Sequence, residues 1–543
     1  MTISTSNASA QTLSPETQVA EAATSARERA GHIKKVGHTV ASSFIYLILC
    51  AAIVLSTLAY GTVHYWALAV FQLGAALIVA FWVVDAWRSR TLRFSRNSLQ
   101  WPLLGLFLLG LVQLLPLGNA ADGAALSSAT PVRSLSLDPY STRLVLVQLL
   151  SLIVYFAATL SFTDSPGRLR LLVRTIAIFG FVLAIFGLIQ SFTSPTRVYW
   201  VRELAQSTPF GPFINRHHFA GYMELTIALP LGLLFSGAIE RDKRVLYIFA
   251  AAMMGVALIM TGSRGGIIAL GAELLFLVLL TGFGLVRSRR ASEHGSERHG
   301  REGQDPPGAG RERQRADGGS GSRVRQMAVR AGLAFMLVLA LVVGAVLLGG
   351  EDALSRFVGT VNTNDPTTGR AHFWSVTLDI IRHHPLIGTG LGAFGVVYTR
   401  YDTRNGMFRL EQAHNDYLQL VSDAGILGAL LGTLFVVLLF RMGLQRRETD
   451  DAFRRGVVTG ALAGCFAVLV HSFFDFTLHT TSNALLFLVL AALATINGRV
   501  EQTTHGHRRR RRRRSTQASM QAGAGRETAA LPAPPEVLRE QSR

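Results

Sequence analysis

Residues 171–192 read LLVRTIAIFGFVLAIFGLIQSF, and Arg174 is their one charged side chain. An α-helix needs about 20 such residues to cross the roughly 30 Å hydrocarbon core of a bilayer. Comparable runs recur from residue 43 to residue 496. Together they predict twelve spans, at 43–60, 66–84, 101–117, 144–162, 171–192, 219–239, 246–260, 266–286, 331–348, 425–440, 456–474 and 484–496. The third, seventh and tenth are short or interrupted by Gly. The expected fold is an all-α polytopic membrane protein with about 12 transmembrane helices and one large periplasmic loop.

Composition points the same way. Of the 543 residues, 49% are hydrophobic, and mean hydropathy is +0.33. A soluble domain rarely sustains that average. The formal net charge of +19 is not read as a nucleic-acid footprint, because the excess sits in loops and in the tail, where positive charge orients spans. With a cytoplasmic N-terminus, the inside segments 88–96, 168–174, 241–244, 287–330, 441–455 and the tail each carry several basic residues. The outside loop 118–140 carries one Arg. Both termini are therefore expected on the cytoplasmic side of a bacterial inner membrane.

The organisation expected is a disordered cytoplasmic lead over 1–40, spans one to eight over 41–286, and a disordered basic insert over 287–330. The ninth span follows at 331–349, then a periplasmic loop at 350–414, spans ten to twelve at 415–498, and a disordered Arg-rich tail at 499–543. The lead lacks the short basic start and immediate apolar core of a signal peptide. The seven-Arg run 508–514 reads as a topology lock with attraction to anionic lipids. Cys50 and Cys465 lie in apolar runs, which argues against a disulfide scaffold or a cysteine-ligated metal.

A long loop outside the membrane is usually functional, and the richest chemistry stands where this one re-enters. There the chain reads Gln412-Ala413-His414-Asn415-Asp416-Tyr417-Leu418-Gln419, then Asp423-Ala424-Gly425-Ile426-Leu427-Gly428. This is a His-Asn pair, nine residues, Gly, two residues, Gly. Other polar motifs fall on the same face in the charge-derived topology: 211–222 with Arg216, His217 and His218; 261–266 with Ser263 and Arg264; 369–374 with Arg370; Pro385-Leu386-Ile387-Gly388-Thr389-Gly390-Leu391-Gly392; and 471–479 with His471, Asp475 and His479. The glycines of 388–392 lack the strand–helix context of a nucleotide loop and read as a tight turn.

These motifs and their spacing resemble the O-antigen ligase and O-antigen polymerase superfamily, and the 211–222 stretch resembles the segment before a central helix in members from exopolysaccharide clusters. The resemblance implies a metal-independent glycosyltransferase of the class that uses lipid-phosphate donors. Its donor would be an undecaprenyl-diphosphate-linked oligosaccharide, and its acceptor a glycan or lipid A-core. Membrane lipids are the remaining partners. No cofactor, metal or nucleic acid is implied. His414 would be the catalytic base, since an imidazole titrates near neutral pH. Arg216, Arg264 and Arg370 would grip the diphosphate, a task that suits a permanently ionised, bidentate guanidinium. Asn415 would orient the substrate or the ring, and His218, His471 and Asp475 would support the site. His471 and Asp475, four residues apart, are expected to pair on one helix face. Glu224 and Glu273 are ionisable groups inside spans, where such groups usually face a cavity or a partner. The alternatives are a glycan-lipid flippase or transporter, which usually carries an internal repeat that is not seen here, and a protein O-oligosaccharyltransferase.

Overall fold

The computed structural model describes residues 38–117, 134–204, 207–299, 370–403 and 410–496. The expected ninth span, the Arg-rich tail, and most of the N-terminal lead and basic insert lie outside the described residues, as does the opening of the outer loop. The elements are α1 (Val40–Leu58), α2 (Tyr65–Ser89), α3 (Gln100–Gln113), α4 (Pro139–Phe162) and α5 (Pro166–Thr193). A two-stranded antiparallel hairpin of β1 (Arg197–Val198) and β2 (Arg202–Glu203) follows. Then come α6 (Arg216–Phe235), α7 (Arg241–Met260), α8 (Arg264–His299), α9 (Arg370–His383) and α10 (Phe394–Tyr401). The last are α11 (Asp416–Arg446), α12 (Ala452–His471) and α13 (Thr481–Thr495).

Among the described residues nine helices are long and apolar enough to cross a membrane, and α3 and α13 are shorter apolar helices. The chain is a multi-pass membrane protein. Each of the eleven expected spans within the described residues falls on one of these helices. Polar residues set several of the starts. Asp138 caps α4 through the Ser141 N–H and Ser165 caps α5 through the Arg168 N–H, each with Pro at the opening of the helix. Asn215, Asn415 and Asp451 cap α6, α11 and α12. A cap oxygen satisfies an N–H that the helix leaves unpaired, which matters most where water is scarce. Two boundaries differ from expectation. The eighth helix continues past 286 to His299, where irregular structure was expected. The tenth expected span lies on α11, which begins at Asp416 rather than Gly425.

The core of the bundle is α6, packed against α5, α7, α8, α12 and α13. Nearly all of α6 is buried. It meets α12 through small residues: a Cβ on Gly232 would overlap the Gly460 backbone, and one on Gly460 would overlap the Ala228 carbonyl. Two helix backbones can approach this closely only without side chains between them. In contrast, α2 leaves Leu73, Leu77, Val79 and Val83 exposed, an apolar surface fitted to lipid.

The two ends of the bundle differ. At one end Arg93 bridges Asp85 (3.3 Å) and Asp164 (3.0 Å), and Arg168 reaches Asp164 at 3.5 Å. Thr39 also bonds Asp85 there. The opposite end gathers the starts of α6, α8, α11 and α13 and the end of α12. It is capped by α9 and α10, whose Val376, Ile380, Phe394, Val397 and Tyr398 form a small separate core with Ala413.

The sequence 385–392 does more than turn. Helix α11 breaks at Gly425 (φ 64°, ψ −164°), and the 385–392 segment inserts at the break. Ile426 N–H donates to the Pro385 carbonyl (2.8 Å), Thr389 N–H to Ser422 (2.9 Å) and Gly390 N–H to Asp423 (3.0 Å). Backbone groups released by the break are thus satisfied by the inserted loop. A Cβ on Gly425 would overlap the Leu386 carbonyl, so both the positive φ and the close approach call for glycine. Gln113 at the end of α3 secures the insert, donating to Ile387 (2.6 Å) and Asp423 (2.8 Å) carbonyls and accepting from Leu391 N–H (3.0 Å).

Candidate active site

Two helices begin at one cavity with an arginine, and a third arginine joins them from α9. Arg216 opens α6, Arg264 opens α8, and Arg370 is the first described residue of α9. All three line a single cavity of about 100 Å³, together with His217, Ser263, His471, Phe474 and Asp475. Helix N-termini carry partial positive charge and unpaired N–H groups, so guanidinium and dipole act in the same direction. Such a lining can attract an anionic group.

Asp475 joins this cavity to His414. It lies in the turn after α12, 1% exposed. Its Oδ2 accepts from Arg370 at 3.4 Å, and its Oδ1 is 3.3 Å from His414 Nδ1 and accepts the Phe476 N–H at 2.9 Å. Burial opposes its charge, but the hydrogen bond from His414 and the nearby His217, His414 and His218 rings outweigh burial. They hold the carboxyl well below the usual aspartate range.

His414 stands in the left-handed region (φ 52°), a conformation uncommon outside glycine. Phe373 stacks on its ring at 6.1 Å, Phe476 meets it edge-on at 4.9 Å, and Trp374 donates to the preceding Ala413 carbonyl at 3.2 Å. Its Nδ1 faces Asp475 at 3.3 Å, so Nε2 is the ring nitrogen outside that contact. A carboxylate on one ring nitrogen fixes the tautomer that makes the other a base.

Other expected site residues take different positions. Asn415 is occupied structurally: its Oδ1 accepts from the Tyr417 and Leu418 N–H groups, both at 3.0 Å, and its Nδ2 donates to Phe473 at 3.1 Å. It anchors the backbone beside His414 and does not reach the cavity. His218 is also behind the cavity, with Nδ1 2.8 Å from the Thr480 hydroxyl. Its neighbour His217 is the one that lines it. The expected His471–Asp475 pair does not form, because α12 ends at His471 and the chain turns before Asp475. Instead His471 Nδ1 is 2.7 Å from Glu224 Oε1, and both side chains are fully buried. Sequence reasoning also missed Asp416, which accepts from Ser472 (2.8 Å) and Leu478 N–H (3.2 Å) and lies 2.7 Å from His479 Nδ1. For His479 burial disfavours the cation, but the bond to Asp416 prevails and raises its pKa.

Residues 249–433 match a family model described as O-antigen ligase. The chain carries an O-antigen ligase domain. The O-antigen ligase match contains Arg264, Arg370 and the His414-Asn415 pair, while Arg216, His217, His471 and Asp475 lie outside it. The cavity therefore joins the O-antigen ligase segment to α6 and to the end of α12. The family gives the chain a ligase- or polymerase-like role in glycan biosynthesis. A search of curated proteins found no match.

Proposed function

We propose that this protein is a membrane glycosyltransferase that ligates or polymerises an undecaprenyl-diphosphate-linked glycan at the periplasmic face of the inner membrane. One observation carries the reading: Arg216, Arg264 and Arg370 line one cavity, and Asp475 on its wall holds His414. The positive-inside bias supports the orientation. Arg168, and Arg241 at the start of α7, belong to the cationic end, and the cavity lies at the other.

In this reading the three guanidinium groups hold the lipid diphosphate. The cavity, of about 100 Å³, would take the phosphate groups, with the oligosaccharide toward His414. The acceptor hydroxyl oxygen attacks the anomeric carbon opposite the C–O–P linkage, and its proton passes to His414 Nε2. The anomeric C–O bond breaks, its electron pair stays on the diphosphate, and configuration inverts. Arginines neutralise the charge that develops on the leaving group, so the reading requires no metal ion.

The test is reconstitution in liposomes with an undecaprenyl-diphosphate oligosaccharide and a glycan acceptor. Wild type should release undecaprenyl diphosphate and form the new glycoside, with release lost in His414→Ala and Arg370→Ala. Movement of the lipid-linked glycan across the bilayer without release would instead establish the transporter reading. Unchanged turnover in His414→Ala would remove the base assignment.

A further inference from the structure

The mechanism above uses neither His471 nor Glu224, although both are fully buried and an ionisable pair within a membrane bundle is costly. They belong to a continuous chain. Glu224 Oε1 lies 2.7 Å from His471 Nδ1, His471 Nε2 lies 3.4 Å from Ser263 Oγ, and Ser263 Oγ lies 2.8 Å from His217 Nδ1. The chain begins inside the bundle on α6, crosses α12 and α8, and returns to the first turn of α6 at the diphosphate cavity. Its inner end is open: Glu224 Oε2 has no hydrogen-bond partner among the described residues. His217 lines the cavity and has Nδ1 engaged, so Nε2 is the nitrogen left for a ligand.

The geometry points to a proton relay in which Glu224, through His471 and Ser263, lets His217 protonate the departing diphosphate. This rests on the glycosyltransferase reading. A diphosphate diester gains one negative charge when its glycosyl bond breaks, and arginines can shield that charge but cannot give up a proton. The serine decides the direction of the chain, because one hydroxyl donates to one imidazole while accepting from the other.

Before transfer, Glu224 carries its proton toward His471 Nδ1. His471 Nε2–H donates to Ser263, Ser263 donates to His217 Nδ1, and His217 carries a proton on Nε2. A neutral acid is the cheaper resting form in so buried a site. When the anomeric C–O bond breaks, His217 Nε2 gives its proton to a phosphate oxygen. His217 Nδ1 takes the serine proton, Ser263 takes that of His471 Nε2, and His471 Nδ1 takes that of Glu224. One proton has moved from Glu224 to the diphosphate, and Glu224 ends as a carboxylate facing the His471 N–H. Other charges bear on this route. Asp475 faces His217 at 3.8 Å, and Arg216 and Arg370 line the same cavity. Glu273, also fully buried, faces Glu224 from α8.

The test compares wild type with Glu224→Gln, which keeps the side-chain shape, and Ser263→Ala, which breaks the chain in the middle. Steady-state release of undecaprenyl diphosphate is measured from pH 6 to pH 8.5 in the reconstituted protein. Both variants should lose about 100-fold in kcat at pH 8, the usual scale for a general acid, with donor KM unchanged. The loss should shrink toward pH 6, where bulk water can protonate the product. A misfolded variant would not recover on acidification, so the pH profile separates relay from structure. Wild-type kcat in either variant at pH 8, or a loss equal at every pH, overturns the relay. If wild type itself releases no lipid diphosphate, the glycosyltransferase reading falls and takes the relay with it.

Discussion

His414 and Asp475 stand 61 positions apart in the chain, yet their Nδ1 and Oδ1 atoms lie 3.3 Å from one another. One comes from the loop entering α11 and the other from the turn leaving α12. The carboxylate thereby selects which imidazole nitrogen is free. Asp475→Asn keeps the shape but can donate to Nδ1, which favours the wrong tautomer. Expected is a fall in kcat of about 100-fold or more, with donor binding less affected. Single-turnover release of undecaprenyl diphosphate measures it, and near-normal kcat would mean that Asp475 only holds the fold.

The same carboxylate makes stability pH-dependent. Its native pKa is depressed below the usual aspartate value of about 3.9. Its contribution is therefore complete above that value and lost as pH falls through the native one. Asp475→Asn should be less heat-stable than wild type at pH 7. The two melting temperatures should converge as pH drops below about 4, read by thermal unfolding in detergent. A gap constant down to pH 3 would contradict the assignment.

Arg370 lines the cavity with Arg216 and Arg264, so its guanidinium is placed to meet the same ligand. Lysine keeps the charge but cannot make a planar two-point contact. Arg370→Lys should weaken equilibrium binding of undecaprenyl diphosphate about tenfold, and Arg370→Ala more. Equal affinity of Arg370→Lys and wild type would show that charge alone suffices.

Gly425 offers a stability test away from the chemistry. Gly425→Ala places a Cβ against the Leu386 carbonyl at a positive φ and should cost about 1–3 kcal/mol. Gly271→Ala in α8 meets nothing within 4 Å and should be neutral or slightly stabilising. Melting temperatures of the two variants give the comparison. Equal values would mean that the break tolerates a side chain.

Spans were legible because lipid demands long apolar runs, and the three arginines, singled out by resemblance of their motifs to the family's, line one cavity. The start of α11 was not. Asp416, Gln419 and Asp423 interrupt the apolar pattern, so the sequence places the helix start at Gly425. In the fold Asp416 is met by Ser472 and His479 and Asp423 by the Gly392 N–H, all far away in the chain, while Gln419 accepts from the nearby Ala413 N–H. The His471–Asp475 expectation failed for a local reason, since spacing of four carries a pair only while the helix lasts. The Glu224–His471 contact joins residues 247 apart, a distance over which periodicity carries no information.

Nine residues separate the His414-Asn415 pair from Gly425, and they form the first, capped segment of α11. At about 1.5 Å and 100° per residue, that segment works as a gauge between the clasp made by Pro385 and Ser422 and the imidazole above it. Adding or removing a single alanine there would swing His414 away from Asp475 without changing any side chain in the cavity. Copy length, as much as residue identity, is what this stretch must preserve.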